Sequence, residues 1–275
     1  MSRVVLIGEK GNIKNDIMQW DRHKKAKNEI KKIFNNLDKY RIIHYSCQSF
    51  NRVENGKTAV ITSIGIYSCS SDTTVSFDIQ SVAERLKIDY DNIYNNLEDV
   101  ETLLLKDYFE YIKEDKNIIY LHWNMRDSQY GFQALSNRYC VLTGLKPEYE
   151  ILPIHQLNIA RLLEDYYGIN YVADPRIKSL VEKNKSIEPK DILYGKEEAD
   201  AFDDKQYNAL HRSTLSKVRL FFNILKLVED EKLNVDITFL QSFGARPQVI
   251  YEMVREKWWW GLFTFIIGIL VGKFI

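Results

Sequence analysis

Three apolar stretches lie close together near the start of the chain, at residues 41–48, 58–68 and 73–79. The sequences ENGK and SSD lie between them, and their Gly, Asn, Asp and Ser residues favour turns. The three stretches therefore predict an antiparallel meander, and the rest of the chain must pack against it.

The pattern after the meander predicts an α/β fold. The stretch NIIYLHW (117–123) is continuously apolar, as is typical of a strand buried on both faces. The region 174–205 is interrupted by prolines, and its acidic run EEADAFDD (197–204) is predicted to be solvated surface. Helices are predicted over 90–113, 128–143, 154–168 and 206–229. The fold class is thus α/β, with a mixed sheet made of the antiparallel meander plus a parallel strand and flanked by helices.

The N-terminal 39 residues predict an extension to this core. Val4–Ile7 is a short apolar run typical of a strand, and residues 19–39 carry apolar side chains at helical spacing among many lysines. The short apolar run lacks a small-residue cleavage site, which argues against a signal peptide. A strand followed by an amphipathic helix is therefore expected here.

The composition limits the possible chemistry. Thirty-eight basic and 38 acidic residues cancel, so a polyanion site must be a local patch. Cys47, Cys69 and Cys140 have no CxxC spacing, which predicts reduced thiols and argues against zinc or disulfides. The nucleotide-loop, zinc-protease and serine-hydrolase motifs do not occur. We therefore predict no cofactor and no metal.

The last 18 residues, Trp258 to Ile275, are mostly apolar and contain one charge, on Lys273. As a helix they would span roughly 27 Å, close to the hydrocarbon thickness of a bilayer. Arg255 and Lys257 flank the segment, which places the preceding chain in the cytoplasm. The pattern predicts a tail-anchored protein with one membrane span, and a buried core helix is the alternative.

The predicted span has small residues mostly on one side, and these permit close packing of helices. A single span cannot enclose a pore, so the pattern favours either an oligomeric pore or simple dimer packing. The predicted membrane and pore residues are Trp258, Trp259, Trp260, Gly261, Phe265, Gly268, Gly272 and Lys273. The predicted domains are the extension (1–39), a cytosolic head (40–235), a linker with a stalk helix (236–257) and the span (258–275).

Three local motifs resemble DnaQ-like 3′-to-5′ exonucleases of the DEDDh class, which have an RNase-H-like fold. Ser46 and Gln48 stand where that family has D-x-E on its first strand. HWNMRD resembles the second motif, with His122 and Asp127 at its His and Asp positions, and HRSTLSKV resembles the third motif, with His211 at its start. The resemblance covers residues 41 to about 229 and implies an exonuclease-like fold.

The departures from the family pattern concern its acidic residues. Ser46, Gln48 and Ser216 are neutral where the family has carboxylates, and only Asp127 remains. Two-metal cleavage needs several carboxylates to hold two divalent cations. The sequence therefore predicts that the protein is not an enzyme. Its degenerate nuclease site, with three fewer negative charges, is expected to favour phosphate more than the family's acidic site does.

A single-stranded DNA oligonucleotide is the expected ligand of this site. Arginine and lysine suit phosphates, and aromatic rings such as Tyr45, Trp123 and Phe132 suit base stacking, although core packing is the alternative role for these rings. The predicted ligand-binding residues are Ser46, Gln48, His122, Asn124, Arg126, Asp127, Tyr130, Arg138, His211, Arg212 and Lys217.

A non-cutting head joined to a membrane span resembles the membrane effectors of Hailong-type anti-phage defence systems. This resemblance implies a prokaryotic inner-membrane protein, a homo-oligomeric channel, and a partner nucleotidyltransferase whose DNA oligomers keep the channel closed. Two alternatives remain open from the sequence. One is an active membrane-tethered exonuclease that uses Asp78, Asp127 and Asp200, and the other is a tail-anchored scaffold that binds protein.

Overall fold

The computed structural model describes residues 2–49, 53, 57–126, 128–238, 241–242, 251, 261 and 269, with side chains from residue 19 onward. The strands of the described chain are β1 (Tyr40–Cys47), β2 (Ile61–Ser68), β3 (Thr73–Asp78), β4 (Ile119–His122) and β5 (Gln156–Asn158). Its helices are α1 (Ser2–Asn35), α2 (Ile79–Arg85), α3 (Leu97–Glu114), α4 (Phe132–Thr143), α5 (Ile159–Tyr167), α6 (Arg176–Lys183), α7 (Lys196–Asp203) and α8 (Tyr207–Glu229).

The strands form one mixed sheet in the order β3-β2-β1-β4-β5. The pairs β1–β2 and β2–β3 are antiparallel, as predicted for the meander, whereas β4 is parallel to both β1 and β5. Helices flank the sheet, so the predicted α/β class with a mixed sheet is confirmed. This arrangement fits an RNase-H-like layout.

Alternation along β1 divides the interior into two cores, because successive side chains of a strand point to opposite faces. Ile42 packs in the core beneath α1, α5 and α8, with Ile33 and Phe221 among its members. Ile43 packs in the second core, which includes Leu104 of α3 and Leu135 of α4. The sheet is thus covered on both faces, and α8 crosses the face to which Ile42 points.

The predicted strand at Val4–Ile7 is wrong, because these residues lie inside α1. A four-residue strand needs a partner, whereas a helix satisfies its backbone groups within the segment. The predicted helix of the extension is confirmed over 19–35. Trp20 and Ile30 of this helix are buried, and Ile30 belongs to the core beneath α8.

Three further boundaries differ from the prediction. The predicted helix at 154–168 begins with strand β5 before α5 starts. Residues 90–96, rich in Asp and Asn, form two short 3₁₀ turns, so α3 begins at Leu97. Helix α4 begins at Phe132, because the backbone at Arg126 and Gly131 forms an antiparallel bridge that precedes it.

The C-terminal predictions fall mostly outside the described residues. No helix in the described part of the chain is long and apolar enough to cross a membrane. The predicted span lies outside that part except for Gly261 and Ile269, which are helical and exposed. The residues Trp258, Trp259, Trp260, Phe265, Gly268, Gly272 and Lys273 lie outside it, as does the predicted stalk except for Tyr251.

Candidate functional site

A row of polar side chains crosses the sheet beneath α8. Ser46 of β1 is paired in register with Ser63 of β2, and Ser63 is paired with Asp78 of β3. Directly paired residues on neighbouring strands point to the same face of a sheet. All three residues are buried, so their polar groups need partners within the protein.

Helix α8 supplies these partners from residues three apart, which lie on one helix face. Thr214 Oγ1 lies 2.7 Å from Ser46 Oγ. His211 Nδ1 lies 3.0 Å from Ser63 Oγ, and its Nε2 lies 3.7 Å from Asp78 Oδ2. Asp78 also accepts hydrogen bonds from the backbone N–H and the hydroxyl of Ser81, and so caps the N-terminus of α2.

The third residue of this α8 series, Lys217, forms an ion pair with Glu198 of α7. Lys217 Nζ lies 2.5 Å from Glu198 Oε1, and the two side chains are 5% and 23% exposed. Ser46 Oγ is within 3.4 Å of the same carboxylate oxygen. We call Ser46, Glu198, Thr214 and Lys217 the β1–α8 cluster, and the charges of its ion pair cancel.

The segment before α7 directs Glu198 toward β1. Gly195 has a φ of 43°, a left-handed conformation that favours glycine, immediately before α7. The backbone N–H of Leu193 donates to Ser213 Oγ of α8, which ties this segment to the helix beside it. Phe202 is buried and anchors α7 in the second core. The backbone of α7 at Glu198 is therefore held by contacts on both sides.

Tyr130 and His44 lie beside the β1–α8 cluster. Tyr130 Oη donates to the carbonyl of Tyr45 and lies 3.0 Å from His44 Nδ1. Burial, together with the nearby Lys217 charge, lowers the pKa of His44 well below its ordinary value. Burial raises the pKa of Tyr130 well above its ordinary value, and Glu198 adds to this shift. Both groups are therefore neutral at physiological pH.

The chemistry of the cluster favours an anion over a metal cation. No group of three His, Cys, Asp or Glu side chains suited to a metal occurs among the described residues. The carboxylate of Glu198 is already neutralised by Lys217, so little charge is left to hold a dication. Displacing Glu198 would leave an ammonium and hydroxyls, which are donors for an anion.

The contacts of Ser63, His211 and Asp78 resemble a serine-hydrolase triad only in composition. A nucleophile must reach its substrate, and Ser63 is completely buried in the sheet. Burial lowers the pKa of His211, and Asp78 opposes this shift. We interpret the three residues as a hydrogen-bonded connection between α8 and the sheet.

The structure brings together four of the predicted ligand-binding residues. Ser46 and Lys217 contact the Glu198 carboxylate. Tyr130 bonds the neighbouring Tyr45 of β1, and His211 lies one α8 turn from Thr214. Ser216, which matches an aspartate position of the exonuclease motif, is half-buried, and the neighbouring Lys217 is the side chain that reaches the cluster.

Two predicted ligand residues instead stabilise the turn that follows β4. His122 is buried, its Nδ1 accepts the backbone N–H of Met125, and burial together with Arg126 lowers its pKa to about 4. Asn124 has a φ of 54° and its side-chain oxygen accepts a hydrogen bond from Asn158. Their polar groups therefore hydrogen-bond within the protein, and a ligand contact at these two residues stays a prediction.

The predicted arginines have different surroundings. Arg138 is buried and binds both carboxylate oxygens of Glu101, so it is not open to a phosphate. Arg212 is exposed and lies 3.7 Å from Asp191 at the surface. Arg126 is also exposed.

The remaining predictions concern one polar residue, one acidic residue and the aromatic rings. Gln48 follows the end of β1 and is half-buried, and Asp127 lies outside the described residues. Trp123 is buried and stacks on Phe221, with ring centroids 5.4 Å apart, so its ring belongs to the core. Tyr45 is likewise buried.

Glu198 and Thr214 are site residues that were not predicted from the sequence. Glu198 belongs to the acidic run that was predicted to be solvated, and its neighbour Glu197 is exposed. Thr214 is three residues from both His211 and Lys217, and this spacing was the available signal that all three share a helix face.

Comparison with protein-family models, with curated proteins and with solved structures gives no match for this chain. A fold alone does not define a function, so the side chains of the site carry the functional proposal.

Proposed function

We propose that residues 40–235 form an RNase-H-like head that binds a short single-stranded DNA and does not cut it. One observation carries this proposal. The position beside β1, where the exonuclease motifs would supply carboxylates to metal ions, holds the Lys217–Glu198 ion pair next to Ser46. A lysine there supplies a fixed positive charge without a metal, which suits phosphate binding and disfavours a two-metal reaction.

The ligand would enter from the side of α7. Glu198 is the partly exposed member of the cluster, and the exposed Arg126 belongs to the turn that leads to Tyr130. An exposed arginine suits a backbone phosphate. Because the chain has no net charge, such local donors must supply the attraction.

We further propose that the head controls a membrane segment. The apolar run 258–275 would anchor the chain in the inner membrane and form a homo-oligomeric pore, as in Hailong-type anti-phage effectors. A partner nucleotidyltransferase would supply the DNA oligomer. The ligand would hold the pore closed if it binds the closed assembly more tightly than the open one.

The nucleic-acid proposal is tested with the full-length protein purified in detergent. We expect ultraviolet absorbance from co-purified nucleic acid that a DNase removes, and we expect end-labelled single-stranded DNA to stay intact with Mn²⁺. Shortening of the DNA that disappears in Asp127→Ala would instead establish the active nuclease. Failure to bind short deoxy- and ribo-oligomers would favour the protein-binding scaffold.

The pore proposal is tested by leakage of dye-loaded liposomes. Full-length protein without ligand is expected to release the dye, and a chain truncated before Trp258 is expected not to. Equal leakage from both proteins, or leakage from neither, would contradict a channel formed by this segment.

A further inference from the structure

We propose that Glu198 occupies the position of a ligand phosphate in the β1–α8 cluster, and that a bound phosphate group replaces it. This inference rests on the proposed function, because it describes how that site is kept filled when no ligand is present. The chemical class of the ligand group is a phosphate mono- or diester, which offers acceptor oxygens and negative charge as a carboxylate does.

The hydrogen bonds within the cluster show that the Glu198 carboxylate has one close donor and one distant donor. The close donor is Lys217 Nζ at 2.5 Å. The hydroxyl of Thr214 donates to the carbonyl of Leu210, so the 2.7 Å contact between the two hydroxyls is a donation from Ser46. The 3.4 Å contact from Ser46 to Glu198 is therefore the weaker one.

The Ser46 hydroxyl is therefore a second donor that Glu198 does not engage at close range. The oxygens of a phosphate are arranged tetrahedrally and lie farther apart than the two oxygens of a carboxylate, so one phosphate could accept from an ammonium and from a hydroxyl together. If Ser46 turned its hydroxyl from Thr214 toward an incoming phosphate, the phosphate would receive two close donors where Glu198 has one.

The burial of the ion pair explains why Glu198 would leave Lys217 only as a phosphate takes its place. Lys217 is 5% exposed and Glu198 is 23% exposed, so the lysine is nearly buried whereas its carboxylate partner reaches the surface. An ammonium left buried without a partner is strongly unfavourable, so Glu198 leaves only when another anion arrives. Phe202 is 5% exposed and anchors α7 in the core, so the Glu198 side chain can rotate outward while the helix stays in place.

The test compares the affinity of full-length variants for a fluorescent oligothymidylate in detergent. Glu198→Gln removes the competing charge but keeps an acceptor for Lys217, and we expect it to bind about tenfold more tightly than the wild type. Glu197→Gln is the matched control, because it removes one charge from the exposed neighbouring residue of α7. This control is expected to bind like the wild type.

The double variant Glu198→Gln/Lys217→Met removes the ammonium that is proposed to donate hydrogen bonds to the phosphate. It is expected to lose the gain in affinity. A gain in affinity that persists in the double variant would overturn the inference. So would measurable binding of the oligothymidylate with equal affinity by Glu198→Gln and Glu197→Gln. Should Glu198→Gln fail to fold, Glu198→Asp withdraws the carboxylate from Lys217 and is expected to give a smaller gain. Unchanged binding by a folded Glu198→Asp would also overturn the inference.

Inorganic phosphate separates this inference from the proposed function. If no variant binds the oligothymidylate, the proposed function fails. The inference still holds in that case if inorganic phosphate raises the thermal midpoint of Glu198→Gln but not that of Glu198→Gln/Lys217→Met. Absence of any phosphate effect on Glu198→Gln would overturn the inference as well.

Discussion

Gly65 faces Thr214 so closely that a Cβ at position 65 would lie 3.3 Å from Thr214 Cγ2. Gly65 is two residues from Ser63 on β2, and Thr214 bonds Ser46 of β1. The missing side chain at position 65 therefore allows α8 to approach the sheet closely. This approach brings the helix within hydrogen-bond distance of the polar row.

Gly65→Ala is expected to destabilise the protein by about 1–2 kcal/mol, because the added methyl group overpacks the contact with α8. Thr214→Ser removes the Cγ2 methyl group that the new alanine Cβ would contact, and it keeps the hydroxyl that contacts Ser46. In the double variant Gly65→Ala/Thr214→Ser, the cost of the alanine should therefore be largely relieved relative to Thr214→Ser alone. Urea unfolding measures both differences, and an equal cost in the two backgrounds would contradict this explanation.

Arg138→Met is expected to be among the most destabilising single substitutions. Glu101 is completely buried, and it accepts hydrogen bonds from two nitrogens of Arg138 and from the backbone N–H of Ile61. Removal of the guanidinium would leave the carboxylate buried without its cation, at a cost of about 3–5 kcal/mol. Urea unfolding measures this loss.

The partner variant separates charge from packing at this pair. In Glu101→Gln/Arg138→Met both charges are gone, so part of the stability should return. Arg85→Met, which breaks the exposed pair of Arg85 with Asp107, is the surface control and is expected to change stability little. A loss in Arg138→Met no larger than in Arg85→Met would contradict the assigned role.

The parts of the fold that the sequence predicts correctly are those determined by local sequence patterns. The meander was predicted correctly because strand period and turn residues are encoded within a few positions. Val4–Ile7 has the same local pattern, but it lies in a helix, since strand formation depends on a partner that local pattern does not reveal. Strand β5 has only three residues, and its last residue, Asn158, also caps α5 through its side chain, so the segment resembled a helix start.

Of the β1–α8 cluster, Ser46 and Lys217 were predicted from the sequence, whereas Glu198 of α7 and Thr214 of α8 were not. The position of Ser46 is predictable from the alternating pattern of strand β1, and the position of Lys217 from the amphipathic pattern of helix α8. Glu198 is 19 residues from Lys217 in the chain, and the path between them depends on the turn at Gly195. No local pattern distinguishes Glu198 from Glu197, because tertiary packing alone decides which carboxylate faces the cluster.

Stability is expected to fall as the pH decreases from about 7 to about 5, partly because of His122. Burial lowers the pKa of His122 to about 4 in the folded protein, whereas its ordinary value is 6.5. Between these values the unfolded chain binds a proton that the folded chain does not, so acid favours unfolding. The contribution of His122 over this range is about 2 kcal/mol, and His44 and His211, whose pKa values are also lowered, act in the same direction.

His122→Asn tests this assignment, because the amide oxygen can still accept the N–H of Met125. The variant should lose less stability than the wild type when urea unfolding is repeated at the lower pH. A parallel decline in the two proteins would show that His122 does not account for the pH dependence.

Asp78 has two separable roles, as the N-terminal cap of α2 and as the anion beside His211. Asp78→Asn keeps an oxygen for the Ser81 backbone N–H, whereas Asp78→Ala removes it, so the alanine variant should be the less stable by about 1 kcal/mol. Asp78→Asn also removes the charge that raises the pKa of His211 against the effect of burial. The pKa of His211 should therefore be lower in Asp78→Asn than in the wild type, as measured by NMR titration of the imidazole protons. An unchanged pKa would mean that the 3.7 Å approach of His211 Nε2 to Asp78 does not persist in solution.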